Sequence, residues 1–208
     1  MNFFPLRAQF LACIVLLCVA FTPAMAGSPS EPALAGQMIT TQIPGGQQTR
    51  EYARNGRLIY EVIEREKSVG SSRALEAIER EWLDNGTPIR DQAFLAGKET
   101  QATFWYMNGK VKEKRVDQAI RQPDGLAGTY VERFSDLGIL QASGVYQGQF
   151  RPVGVHRQYD EQGQLQRELT YGPDGSKLSE KTFDAEGAET SADSYFPDGS
   201  RKINTGSQ

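Results

Sequence analysis

The feature that most restricts what this chain can fold into is a short unit, an aromatic residue followed four positions later by glycine. Eight such units are read as repeats: Tyr52/Gly56, Trp82/Gly86, Trp105/Gly109, Phe134/Gly138, Tyr159/Gly163, Tyr171/Gly175, Phe183/Gly187 and Tyr195/Gly199. The last four glycines lie twelve residues apart. The earlier intervals of 30, 23, 29 and 25 are near twice that period, as if every second turn had lost the signature. Such a period marks one supersecondary unit used repeatedly. Asn55-Gly56, Asn85-Gly86, Asn108-Gly109, Asp174-Gly175 and Asp198-Gly199 are dipeptides that tolerate or require positive φ in tight hairpin loops. The units therefore read as turns, and the chain as an all-β, antiparallel meander of repeated β-hairpins forming an elongated sheet.

Turn chemistry also predicts a register. In a three-residue loop that ends on a left-handed glycine, the residue four before glycine faces the residue two after it. That pairs Tyr52 with Leu58, Trp105 with Val111, Phe134 with Leu140 and Tyr159 with Leu165. Each pair sets an aromatic against an aliphatic side chain, a cross-strand contact worth about 0.2–1 kcal/mol. In two units the aliphatic residue stands one place later, at Ile89 and Leu178, so a four-residue loop is expected there. Between turns the residues alternate. Leu165, Leu169 and Tyr171 share one face, with Arg167 the exception, which predicts one apolar and one solvated face. The stretch Ser72–Trp82 fits two readings. Leu75, Ile78 and Trp82 have helical spacing, yet the segment runs into the Asp84-Asn85-Gly86 turn, which needs a strand before it. Strand is preferred, and helix stays open.

The N-terminus reads as an address. Arg7 precedes an apolar run from Phe10 to Phe21, then Pro23 and the triplet Ala24-Met25-Ala26. That order predicts a secretory signal over 1–26, cleaved after Ala26, and hence an exported protein, periplasmic or secreted. The apolar run is shorter than the roughly 20 residues a spanning helix needs. Residues 27–49, rich in Gly, Pro, Ser and Gln, are expected to be a flexible linker, and 50–204 the repeat domain. Both cysteines, Cys13 and Cys18, fall within the signal, so the mature chain is expected to be free of disulfides and of cysteine metal sites. Removing Arg7 leaves 22 basic and 26 acidic residues, a net charge of −4 spread evenly. No basic stripe of the kind nucleic-acid binding requires is present, so no nucleic acid is expected.

Segments such as Trp105-Tyr106-Met107-Asn108-Gly109-Lys110-Val111, and Gly144 to Gln149 continuing through Gly154 to Leu165, resemble the MORN-repeat variant of bacterial antitoxin-like proteins. Its unit is Y-x-x-N-G-x-L or G-x-Y-x-x-G-x-x-x-G-x-W. The resemblance covers most of residues 50–202. The C-terminal units are shorter, and His156 stands where one repeat expects Trp. What the resemblance implies is an elongated meander used for protein or membrane contacts. Some exported members act as immunity proteins against toxins delivered to the cell envelope.

Candidate chemistry is sparse. His156 is the one histidine, and no G-x-S-x-G elbow accompanies it, so no catalytic residue is assigned and no enzyme is expected. Asp160, Glu161, Asp174, Asp184, Glu186 and Asp198 recur near turns. They lack the spacing of a calcium loop and read as turn formers, so no metal or cofactor is expected. Gly56, Gly86, Gly109, Gly138, Gly163, Gly175, Gly187 and Gly199 are structural. Adjacent residues on a strand point to opposite faces. Phe104, Trp105 and Tyr106 therefore cannot all be inside, and exposed aromatics mark interfaces. With Tyr130 and His156 they form the expected partner-binding set, the strand around Trp105 being the foremost candidate. The expected partner is a protein, such as a toxin encoded nearby. A structural or lipid-contacting role in the envelope is the alternative.

Overall fold

A computed structural model describes residues 30–117, 119, 126–148 and 150–202. The expected signal at 1–26 lies outside the described residues. Thirteen strands form one antiparallel sheet in strict sequence order. They are β1 (Met38–Ile43), β2 (Gly46–Tyr52), β3 (Leu58–Val69), β4 (Ser72–Trp82), β5 (Pro88–Leu95), β6 (Lys98–Trp105), β7 (Val111–Asp117), β8 (Thr129–Phe134), β9 (Leu140–Gln147), β10 (Arg151–Tyr159), β11 (Leu165–Tyr171), β12 (Lys177–Phe183) and β13 (Glu189–Ser194). The chain is all-β and the meander is open. Ser72–Trp82 is strand, paired with β3 over ten uninterrupted positions from Tyr60↔Glu81 to Val69↔Ser72.

Because each strand reverses the last, the turns fall alternately on two long rims. The turns after β2, β4, β6, β8, β10 and β12 hold Gly56, Gly86, Gly109, Gly138, Gly163 and Gly187, all with φ between 77° and 90°. Each uses the same two backbone bonds. In the first, Ala53 N–H donates to Arg57 O at 2.8 Å and Gly56 N–H to Ala53 O at 2.9 Å. This is the expected three-residue loop closed by a left-handed glycine. The second rim is irregular. Among the described residues it uses Pro44-Gly45, Gly70-Ser71, Ala96-Gly97 and, ahead of β10, the left-handed Gly148 and Phe150, before the regular turn returns at Gly175 and Gly199. The signature that vanishes from every second turn in the sequence is thus missing from one rim of the sheet until Gly175.

The four aromatic–aliphatic pairs form as expected: Tyr52↔Leu58, Trp105↔Val111, Phe134↔Leu140 and Tyr159↔Leu165. The expectation for Ile89 and Leu178 is corrected. Trp82 faces Pro88 and Tyr171 faces Lys177, across loops of the ordinary length. The left-handed glycine fixes which residue stands opposite the aromatic, whatever that residue is. Each pair is followed by a one-residue register shift, as between Glu51 and Tyr52 or Phe104 and Trp105. Such bulges add local twist.

Two further expectations change. The flexible linker over 27–49 gives way from Met38 onward to β1 and the start of β2. Their Thr and Gln side chains lack apolar alternation, but the Pro44-Gly45 turn brings the two strands into six-position pairing. Nor does the sheet have one apolar and one solvated face. Among the described residues the buried apolar side chains are Tyr52, Leu58, Ala102, Val131, Val145, Val153 and Leu169, while Glu61, Glu76, Gln92, Asp117, Ser143 and His156 are equally buried. In a single layer, much of what covers a side chain is its neighbour on the next strand, so polar ladders do work that a second layer would otherwise do. Glu61 accepts from Arg50 Nε at 3.0 Å, Arg80 at 3.0 Å and Gln48 Nε2 at 2.8 Å, and Arg80 continues to Asp91 at 3.3 Å. Lys67 and Arg65 hold Glu76 at 2.5 and 2.7 Å, and the hydrogen bond from Lys67 is the chief cause of its lowered pKa. The turn aspartates are Asx caps: Asp160 Oδ1 accepts from Gln162 N–H at 2.9 Å and Gln164 N–H at 2.8 Å.

Candidate functional site

The turn from β9 to β10 departs from the repeat. Phe150 and Gly154 have the spacing of the aromatic-x-x-x-Gly unit without forming its turn. Gly154, at φ 68°, sits inside β10, where Gly144 faces a bulge and the register shifts between Val153 and Arg157. Phe150 is itself left-handed, at φ 60°. A non-glycine residue there carries strain of about 1–3 kcal/mol, which the surroundings must offset. The turn is closed by Gln147↔Arg151, and Phe150 N–H donates to Gly148 O at 3.0 Å. This geometry leaves the residue 58% exposed.

A run of rings leads away from it. Phe150 meets Tyr146 edge-on, centroids 6.2 Å apart; Tyr146 meets His156 at 4.8 Å; His156 meets Tyr171 at 5.0 Å. His156 is buried, and its Nε2–H donates to the Val145 carbonyl at 2.8 Å. Burial pushes the imidazole pKa below its usual value, so the neutral ring is the folded form. Gly144 makes room for it, since a Cβ there would overlap His156 Nδ1.

Cations border the same face. The Arg115 guanidinium lies 4.9 Å from the Phe104 ring centroid and 5.8 Å from that of Phe150. Its Nε donates to Glu113 at 2.6 Å. Arg133 reaches the other Glu113 oxygen at 2.9 Å and lies 5.5 Å from the Tyr146 ring centroid. The hydrogen bond to Glu113 is the main reason the Arg133 pKa is raised. Lys98 is ion-paired with Asp117. Together Lys98, Arg115, Thr129, Val131, Tyr146 and Phe150 line a cleft of about 300 Å³. The cleft offers aromatic edges and guanidinium planes already fixed by carboxylates. That arrangement suits packing and cation–π recognition, and none of its residues is a nucleophile paired with a base. Among the described residues no three His, Cys, Asp or Glu side chains converge as a metal site.

Of the expected partner-binding residues, Phe104 and His156 lie on the face of this cleft, Phe104 beneath Arg115 and His156 buried behind Tyr146. Trp105 is half-buried opposite Val111. Tyr106, also half-buried, donates its hydroxyl to Phe134 O at 2.8 Å, tying one first-rim turn to the next. Tyr130 faces Val116 and Val145 on the other side of the sheet. None of Phe104, Trp105 and Tyr106 is fully exposed, because the bulge at Trp105 and neighbouring cations cover them in part. Phe150, Tyr146 and Arg115 were not in the expected set. The available signal was the Phe150/Gly154 spacing, which lacks the Asn-Gly or Asp-Gly that accompanies most of the true turns.

No protein-family model matches the chain, and no curated protein does. Among solved structures it is similar to a crystal structure of TarM, at 17% identity and a TM-score of 0.30, over 54% of this chain. The chain spans only 20% of that protein's length.

Proposed function

We propose that this chain is an exported, non-catalytic protein-binding module whose contact surface is the cleft around Phe150. The observation that carries the reading is Phe150 itself, an exposed aromatic held in a strained backbone conformation beside Tyr146 and Arg115. Strain of this kind persists where the surroundings over-determine it and clusters at ligand contacts. Aromatic and arginine side chains are the ones that dominate interface energetics. The regular rim and the interlocked charge ladders supply a rigid frame, which lowers the ordering cost of binding.

The resemblance to MORN-variant antitoxins and the expected secretory signal favour a finer role, an immunity protein that occludes a toxin acting in the envelope. The test is co-expression with the product of each adjacent gene, using the parent chain and Phe150→Ala. Protection by the parent that Phe150→Ala lacks, with both proteins melting alike, is the expected outcome. No toxicity from any neighbouring product, or equal protection by the two proteins, overturns it.

A further inference from the structure

The two terminal strands of the sheet are built differently. β13 carries Glu189 and Asp193, and the chain turns back beside it: Arg201 pairs with Asp193, and Lys202 N–H donates to Ser194 O at 2.8 Å. Acidic side chains and a returning segment are ways of blunting an open edge. β1 has neither. Its sequence, Met-Ile-Thr-Thr-Gln-Ile, contains no charge, proline or glycine, and its six-position pairing with β2 has no bulge to twist it away. Met38 is 65% exposed, and among the described residues nothing pairs with its outer edge.

We infer that β1 is an interface at which two copies of this chain join edge to edge, extending the sheet through a two-fold axis. The occupant is a second copy because β1 is self-complementary. An antiparallel pairing that sets Ile39 opposite Ile43 of the second copy also sets Ile43 opposite its Ile39 and places Thr41 against its own symmetry mate. Like faces like on both sides of the sheet, and no charges meet. The same operation at β13 brings the acidic side chains of both copies together. This goes beyond the binding reading above and does not depend on it, because β1 is an edge strand, whereas the cleft residues come from β6 to β9 and the turn that follows.

Thr41→Cys tests it directly, with Cys13→Ala and Cys18→Ala making the new thiol the only one. Directly opposed residues in an antiparallel pair have Cα atoms about 4.5–5.5 Å apart, within disulfide reach. Mild oxidation is expected to convert most of the protein to a covalent dimer, while Ala192→Cys on β13 in the same background stays uncross-linked. Thr41→Lys is expected to halve the sedimenting mass with an unchanged circular dichroism spectrum. Three outcomes overturn the inference: a parent chain of single-chain mass at every soluble concentration, a Thr41→Lys variant that stays dimeric, or equal cross-linking at Thr41→Cys and Ala192→Cys.

Discussion

The two rims of this sheet are made by the same chain with different rules. The first repeats one turn and locks neighbouring turns together. Asn55 Nδ2 donates to Asp84 O at 2.7 Å, Asn108 Nδ2 to Asp136 O at 2.7 Å, and Ile139 packs 3.3 Å from where a Cβ on Gly163 would stand. The second rim uses a different turn at nearly every position before Gly175, and the cleft and Phe150 border it. Repetition gives a rim that is stiff because each turn supports the next. Departure from repetition leaves room for a strained residue and a pocket.

A clear effect is expected at the seam of the irregular region. Gly144→Ala places a methyl group against His156, and overpacking of this kind costs about 1–3 kcal/mol. The variant should show a lower urea midpoint, and an unchanged midpoint would mean that the ring is free to move.

The rims can then be set against each other. Gly56 and Gly70 are both left-handed, but a Cβ on Gly56 would stand 2.6 Å from Pro32 Cα, whereas Gly70 has nothing within 4 Å. Gly70→Ala should cost only the conformational penalty, about 1–2 kcal/mol. Gly56→Ala should cost a further ~1–3 kcal/mol of crowding. Equal losses in denaturant titrations would mean that the segment around Pro32 gives way to the added methyl group.

Acid distinguishes the irregular region in another way. The folded-state pKa of His156 is lowered by burial, so below its usual value near 6.5 the unfolded chain takes up a proton that the folded chain refuses. Stability should therefore fall as pH drops from about 7 towards 5, and His156→Phe should flatten that part of the profile. Glu76 and Glu180, both lowered chiefly by hydrogen bonds from lysine, add stability above the usual carboxylate range that is lost at lower pH still. A His156→Phe profile identical to the parent above pH ~5 would assign the whole effect elsewhere.

The smallest effect sharpens the comparison from the irregular side. Ala96 and Gly97 both have positive φ, 51° and 76°, a two-residue turn that favours Asn-Gly. Ala96→Asn should raise stability by roughly 0.5–1 kcal/mol, read as a small rise in melting temperature. The substitution lends one second-rim turn the residue chemistry of the first rim, and a loss of stability would mean that Ala96 is held by contacts other than its backbone.

Much of the fold was legible because its determinants are local. A glycine that must be left-handed fixes its own turn and the residue opposite the aromatic. Tyr52↔Leu58 and Trp105↔Val111 therefore follow from six or seven consecutive residues. At Ile89 and Leu178 the same local rule holds against side-chain type, and the backbone sets Pro88 and Lys177 opposite the aromatics instead. The β1–β2 hairpin is not legible in this way, since Thr and Gln carry no apolar pattern and only pairing along a sheet orders them.

The sequence alone determined the turns, the antiparallel order they impose and the register beside each aromatic. It could not determine the cleft. Arg115, Tyr146, Phe150 and His156 come from β7, β9, the following turn and β10, and they meet only because a bulge opposite Gly144 re-aims β10. Nor could it divide inside from outside. In a single-layer sheet, burial depends on which side chains stand on the neighbouring strands, and that is a property of the assembled sheet rather than of any segment within it.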